Sequence, residues 1–68
     1  MLLIVIKDSK GKIYYYGNQN LDVGSTGAKL IALNKLESCE PEQKLQIVIL
    51  AYKLDLTRVG KWKSEVTC

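Results

Sequence analysis

Read for its alternation of apolar and polar positions, the chain divides into four short strands and one helix. Met1 to Lys7 (MLLIVIK) is a continuous apolar run, rich in β-branched residues, that ends in charge. At that length it predicts a strand with both faces covered. Asp8-Ser9-Lys10-Gly11 has the chemistry of a type I turn followed by a left-handed residue. Lys12 to Tyr16 (KIYYY) then returns as the hairpin partner, with Ile13 and Tyr15 on one side and Tyr14 and Tyr16 on the other. Gly17 to Gly24 (GNQNLDVG) is a connector of turn formers, tucked against the core by Leu21 and Val23.

Ser25 to Cys39 (STGAKLIALNKLESC) is the only stretch with a helical period. Ser25 or Thr26 is placed to accept hydrogen bonds from the first-turn amides, and Pro41 disfavours helical geometry at Glu40. At 100° per residue, Ala28, Ala32, Leu36 and Cys39 form one stripe, edged by Ile31 and Leu33. Asn34, Glu37 and Ser38 lie opposite, and Leu30 falls among them on the outer face. The small side chains of Ala28 and Ala32 let the helix axis approach a sheet closely, and Lys29 and Lys35 border the stripe with their stems on apolar surface.

Beyond the Glu40-Pro41-Glu42-Gln43 turn, Lys44 to Leu54 (KLQIVILAYKL) predicts a second strongly apolar strand. Leu45, Ile47, Ile49 and Ala51 share one face, and Val48, Leu50 and Tyr52 the other. Asp55 to Gly60 reads as a loop. Lys61 to Val66 (KWKSEV) predicts an edge strand, with Trp62, Ser64 and Val66 on one side and Lys61, Lys63 and Glu65 on the wet side. The result is a single α+β domain spanning residues 1–68, ββαββ, with one helix packed on one face of a four-stranded antiparallel sheet. The two most apolar strands, the first and third, belong side by side in the centre, giving the order 2-1-3-4; sequential stacking of the two hairpins is the alternative.

This arrangement leaves a mismatch. One helix covers one face of a sheet, yet both central strands carry apolar residues on both faces. A contiguous apolar patch of a few hundred Å² marks an interface, so the open face is expected to be a homodimer contact or a partner site.

Composition adds constraints. A chain of 68 residues buries only roughly 60% of its unfolded surface, so its core is small. At 47% hydrophobic residues it is nevertheless ample for a folded core. The formal charge is +3, and Arg58 is the only arginine among ten basic residues. That permits attraction to nucleic acid or to an acidic protein, but speaks against sequence-specific DNA reading, which relies on arginine. The apolar start lacks a basic n-region and runs into Lys7-Asp8, unlike a signal peptide or a membrane span, so no membrane partner is expected. Cys39 on the apolar stripe and Cys68 at the last position read as reduced thiols of a cytoplasmic protein, with a disulfide between them as the alternative.

Catalytic chemistry finds little support. There is no histidine, and hence no usual general base at neutral pH. Glu37, Glu40 and Glu42 cluster at a helix end and turn, where a solvated role is the simple account. Ser25 and Thr26 have no activating partner, and two isolated cysteines build no metal site. Gly24-Ser25-Thr26-Gly27-Ala28-Lys29 lacks the phosphate-loop spacing, and helix capping explains it better. No enzyme, metal or cofactor is expected. Tyr14, Tyr15, Tyr16, Tyr52 and Trp62, interleaved with Lys12, Lys53, Lys61 and Lys63, could stack bases and contact phosphates, though packing and protein contact account for them better. The Lys10 turn and the Arg58 loop fall at opposite ends, which disperses the basic charge.

Ala28-Lys29-Leu30-Ile31-Ala32, Cys39, Leu50-Ala51-Tyr52-Lys53-Leu54-Asp55 and Gly60-Lys61-Trp62 resemble segments of small phage proteins. Among these is an anti-CRISPR family that inhibits type I surveillance complexes. That family has room for an additional hairpin between helix and Leu50, which this chain lacks. The resemblance implies non-enzymatic blocking of a large nucleoprotein by a small basic α+β domain, with Lys29, Lys53, Lys61 and Trp62 as the matched contact positions. Taken with the residue patterns, the expected role is a phage or prophage interaction protein that inhibits a host protein or nucleoprotein complex in the bacterial cytoplasm. Its expected contact residues are Lys29, Leu30, Tyr52, Lys53, Arg58, Lys61, Trp62 and Lys63. The alternative is a small module binding nucleic acid non-specifically through lysines and strand aromatics.

Overall fold

The computed structural model describes residues 1–36 and 39–68. Strands β1 (Leu2–Lys7), β2 (Ile13–Gln19), β3 (Lys44–Tyr52) and β4 (Arg58–Thr67) form one antiparallel sheet in the order β2-β1-β3-β4. A 3-10 turn, Leu21–Val23, leads directly into the helix α1 (Gly24–Asn34). The architecture is the α+β arrangement that the apolar pattern predicts, with the two most apolar strands in the centre.

The helix lies on the face formed by Leu2, Ile4 and Ile6 of β1 and Leu45, Ile47, Ile49 and Ala51 of β3, closed at one edge by Val66. Ala28 and Ala32 are the helix residues that reach this core, and both are fully buried. A methyl group at each contact brings the helix backbone down onto the strands, while the larger Leu33, Leu36, Tyr14, Tyr15 and Cys39 pack around the margin. Each fully buried leucine or isoleucine contributes about 2 kcal/mol of hydrophobic stabilisation, and no polar side chain is buried among the described residues.

Several boundaries differ from those the pattern predicts. The helix ends at Asn34, short of Cys39, and the outward placement expected for Glu37 and Ser38 lies outside the described residues. Its N-cap position is Val23, with no side-chain cap; Ser25 and Thr26 sit inside the first turn instead, because the 3-10 turn starts the helical winding earlier. β2 runs on to Gln19, and β4 begins at Arg58, in what reads locally as a loop. A register shift between Ile6 and Lys7 also breaks the simple alternation of the tyrosines: Tyr14 and Tyr15 both pack against the core, and Ile13 and Tyr16 are exposed.

Asp8 organises the first turn. Its carboxylate accepts the amides of Lys10 and Lys12, each at 2.9 Å, and the Tyr14 hydroxyl at 3.3 Å. Partial burial opposes the charge, but these donors and the Lys12 ammonium outweigh it and hold the carboxyl below its ordinary range. Gln43 Nε2 in turn donates to the Tyr14 hydroxyl at 2.8 Å, tying the first hairpin to the turn before β3.

Cys39 and Cys68 are joined by a disulfide, their Cα atoms 6.1 Å apart, which corrects the expectation of two reduced thiols. With the helix ending at Asn34, Cys39 is in the connection that follows. The turn at residues 40–43 then brings it to the end of β4, where the Cys68 amide donates to the Gln43 carbonyl and the Glu42 amide to the Cys68 carbonyl, both at 3.0 Å.

Candidate interface on the uncovered sheet face

Directly paired residues in an antiparallel sheet point to the same side, so the register lays out the face away from the helix row by row. One row runs Tyr16, Val5, Val48, Lys63; the next runs Asn18, Leu3, Leu50, Lys61. Tyr52 and Arg58 continue the face at one end, and Lys7, Gln46 and Glu65 at the other, with Lys44 beyond them. None of the described helices or strands lies over this side. Leu3, Val5, Val48 and Leu50 are only half-buried there, in contrast to the fully buried residues that alternate with them. The centre of the face is thus aliphatic, and one flank is cationic.

The cationic flank arises from strand geometry. Lys61 and Lys63 alternate onto this side with the period of two that β4 imposes. Arg58 joins them only because Ala51 pairs with Gly60 while Tyr52 pairs with Arg58, leaving Val59 as an extra, unpaired residue. Lys7 contributes from β1, across the sheet. Their charges converge on Lys61: Lys63 foremost, then desolvation, a Lys63 contact, Arg58 and Lys7 hold its ammonium below the ordinary lysine range. Glu65 is the carboxylate that the register places on this side.

The expected contact residues divide between the two sides of the sheet. Tyr52, Arg58, Lys61 and Lys63 share the uncovered face, and Lys53 follows Tyr52 into the turn, its amide donating to the Thr57 carbonyl. Trp62, by contrast, pairs with Ile49 on the helix side, where its ring lies over Gly60; a Cβ at residue 60 would stand 2.7 Å from it. Lys29 joins Ser25, Thr26, Ile49, Trp62, Lys63 and Ser64 in a shallow depression beside the helix, and Leu30 is exposed on the helix's outer surface. The structure therefore sets Leu30 apart, while Lys29 and Trp62 meet Lys63 along β4. The Lys10 turn and Arg58 lie at opposite ends, as the sequence predicts, with Lys7 toward the Lys10 end; Arg58, Lys61 and Lys63 nevertheless share one side of β4. Leu3, Val5, Val48 and Leu50 are the second apolar set of the central strands, for which the sequence predicts no cover, whereas Lys7 becomes prominent only here, through cross-strand register.

At the end of the β3–β4 hairpin, Leu54, Leu56 and Val59 are exposed, and Leu56 has a positive φ of 67°. The Asp55 carboxylate accepts the Thr57 amide at 3.0 Å, and the hydrogen bonds of Thr57 keep it below the usual carboxylate range. No three His, Cys, Asp or Glu side chains gather where they could hold a metal ion, and no helix is long and apolar enough to cross a membrane, among the described residues. No family model, curated protein or solved structure matches this chain.

Proposed function

We propose that this chain is a non-enzymatic interaction protein that docks through its uncovered sheet face on a larger macromolecule and acts by covering that surface. The observation that supports it is the combination, on one uncovered side, of the aliphatic centre Leu3, Val5, Val48 and Leu50 with the cations Lys7, Arg58, Lys61 and Lys63. Half-buried aliphatic side chains supply desolvation energy and the cations supply orientation and encounter rate. Inhibition of a host protein or nucleoprotein complex, the role implied by the resemblance to anti-CRISPR proteins, is the form of activity that suits such a module. Action in a reducing cytoplasm requires the fold to hold when the Cys39–Cys68 bond is open.

Non-specific nucleic-acid binding is the second reading, favoured by the same cation cluster. Against it, the centre of the face is aliphatic where base stacking needs aromatic side chains, and Tyr52 stands alone at one end of β3. Tyr16 lies on the outer strand, and Trp62 faces the helix side.

A photo-crosslinking amino acid placed at Leu50 or Lys61, and at Leu30 as a comparison, tests the reading in a bacterial lysate with and without nuclease. Adducts from the sheet positions that survive nuclease are expected. Adducts from Leu30 alone would overturn it, and adducts lost with nuclease would transfer the case to nucleic acid.

A further inference from the structure

The geometry points to an acidic amphipathic helix of a partner protein as the occupant of the uncovered face, lying along β1 and β3 as a counterpart to α1. This inference rests on the reading of that face as the docking surface and specifies what fills it.

Three features converge on a helix of this kind. The first is shape: the aliphatic centre is two strands wide, about 10 Å across at the usual strand spacing, which matches the diameter of one α-helix with its side chains. The chain packs a helix on its other side in the same way, over the alternate residues of the same two strands. The aliphatic rows Leu3–Leu50 and Val5–Val48 stand two residues apart along the strands, about 7 Å, a length that two turns of a helix span.

The second is charge. Lys61 and Lys63 stand two residues apart on one side of β4, a separation of about 6.7 Å. Carboxylates at positions i and i+4 of a helix repeat every 6 Å or so along its axis. A helix seated with its apolar stripe on Val5, Val48, Leu3 and Leu50 would present an acidic flank in step with Lys61 and Lys63, and Arg58 continues the row. The mutual repulsion that depresses the Lys61 ammonium is relieved by a row of carboxylates.

The third feature argues against a second copy as the source. The chain's own helix, Gly24–Asn34, contains no acidic residue. Two sheet faces brought together would bring two sets of these cations into one interface, with Glu65 as the carboxylate on each, and like charges in an interface cost several kcal/mol.

The test uses a synthetic helical peptide of about 20 residues with leucine at i, i+3, i+4 and i+7 spacing and glutamate along one flank. Its comparison is the same peptide with lysine for glutamate. Binding is followed by amide NMR shifts and fluorescence anisotropy, beside a single-stranded oligothymidylate and sedimentation of the protein alone. The expected result is saturable binding of the glutamate peptide, with shifts concentrated on β1, β3 and β4. The affinity should fall at least about tenfold in Lys61→Gln/Lys63→Gln, whose exposed positions leave the fold intact, and stay unchanged in Leu30→Glu.

Equal binding of both peptides, binding undiminished in the double variant, preference for the oligonucleotide, or dimerisation through this face would each overturn the proposal. If the glutamate peptide fails while cross-links still form at Leu50 and Lys61, the helix inference falls and the docking face stands. If cross-links form only at Leu30, the docking face falls as well.

Discussion

Tyr52 pairs with Arg58 one residue sooner than regular alternation along β4 would allow, because Val59 is left out of the ladder. That single extra residue turns the Arg58 side chain from the helix side to the side of Lys61 and Lys63. A β-bulge re-aims side chains in this way at the ends of strands and beside functional surfaces. Here it sets the chain's one arginine in line with Lys61 and Lys63 on a face that also exposes aliphatic carbon.

The cation cluster predicts how Lys61 titrates. Lys63→Gln removes the largest influence on Lys61, so the Lys61 pKa should rise toward that of an ordinary lysine, and Arg58→Gln should produce a smaller rise. Because the folded-state value lies below the unfolded one, the unfolded chain binds the proton more tightly. Stability should therefore increase as pH rises through the folded value toward the unfolded value. Side-chain NMR of the lysine ammonium groups across alkaline pH measures the shift directly; an unchanged Lys61 in Lys63→Gln would contradict it.

The disulfide predicts a large redox effect on stability. It closes a loop with a sequence separation of 29, for which chain-entropy arguments give about 3.5 kcal/mol of stabilisation. Reduction, or the double substitution Cys39→Ser/Cys68→Ser, should lower the denaturation midpoint accordingly. Neither sulfur should react with an alkylating reagent until a reductant is added. Rapid labelling of the untreated protein would show that the bond is not formed.

Ala32 predicts the tolerance of the helix–sheet contact. It is fully buried where the helix meets the sheet, so Ala32→Leu inserts a branched side chain where backbone approaches backbone. Overpacking of this kind costs about 2 kcal/mol. The same substitution at the exposed Asn34, on the opposite side, should change stability by less than about 0.5 kcal/mol. Urea denaturation of the two variants provides the comparison.

Leu56 predicts a stabilising substitution. It is 72% exposed and held at a φ of 67°, in the left-handed region, where a leucine is disfavoured by roughly 1–2 kcal/mol. Asparagine tolerates that conformation, so Leu56→Asn should stabilise the fold by about 1 kcal/mol while removing exposed apolar surface at the hairpin tip. Thermal unfolding reads the gain, and a loss of stability would mean that Leu56 packs more closely than its exposure indicates.

The amino-acid sequence by itself determined the element types and their order, and favoured β1 and β3 at the centre over sequential stacking of the hairpins, a choice the strand pairing decided. These follow from local chemistry: alternation with a period of two along the strands, a run of helix formers carrying Ala28 and Ala32 at i and i+4, and turn residues between them. It also determined that Lys61 and Lys63 share a side opposite Trp62, since alternation within one strand needs no neighbour. Only the tertiary structure decided which side of each strand meets which side of the next. That choice depends on long-range register, and one unpaired residue reverses it. The shift after Ile6 put Tyr14 with Tyr15, and the shift at Val59 put Arg58 with the lysines. The Cys39–Cys68 bond was decided at the same level, because it joins the connection after α1 to the end of β4 across a turn. The uncovered face therefore emerges from pairing, which brings Val5 beside Val48 and Val48 beside Lys63 although they are remote along the chain.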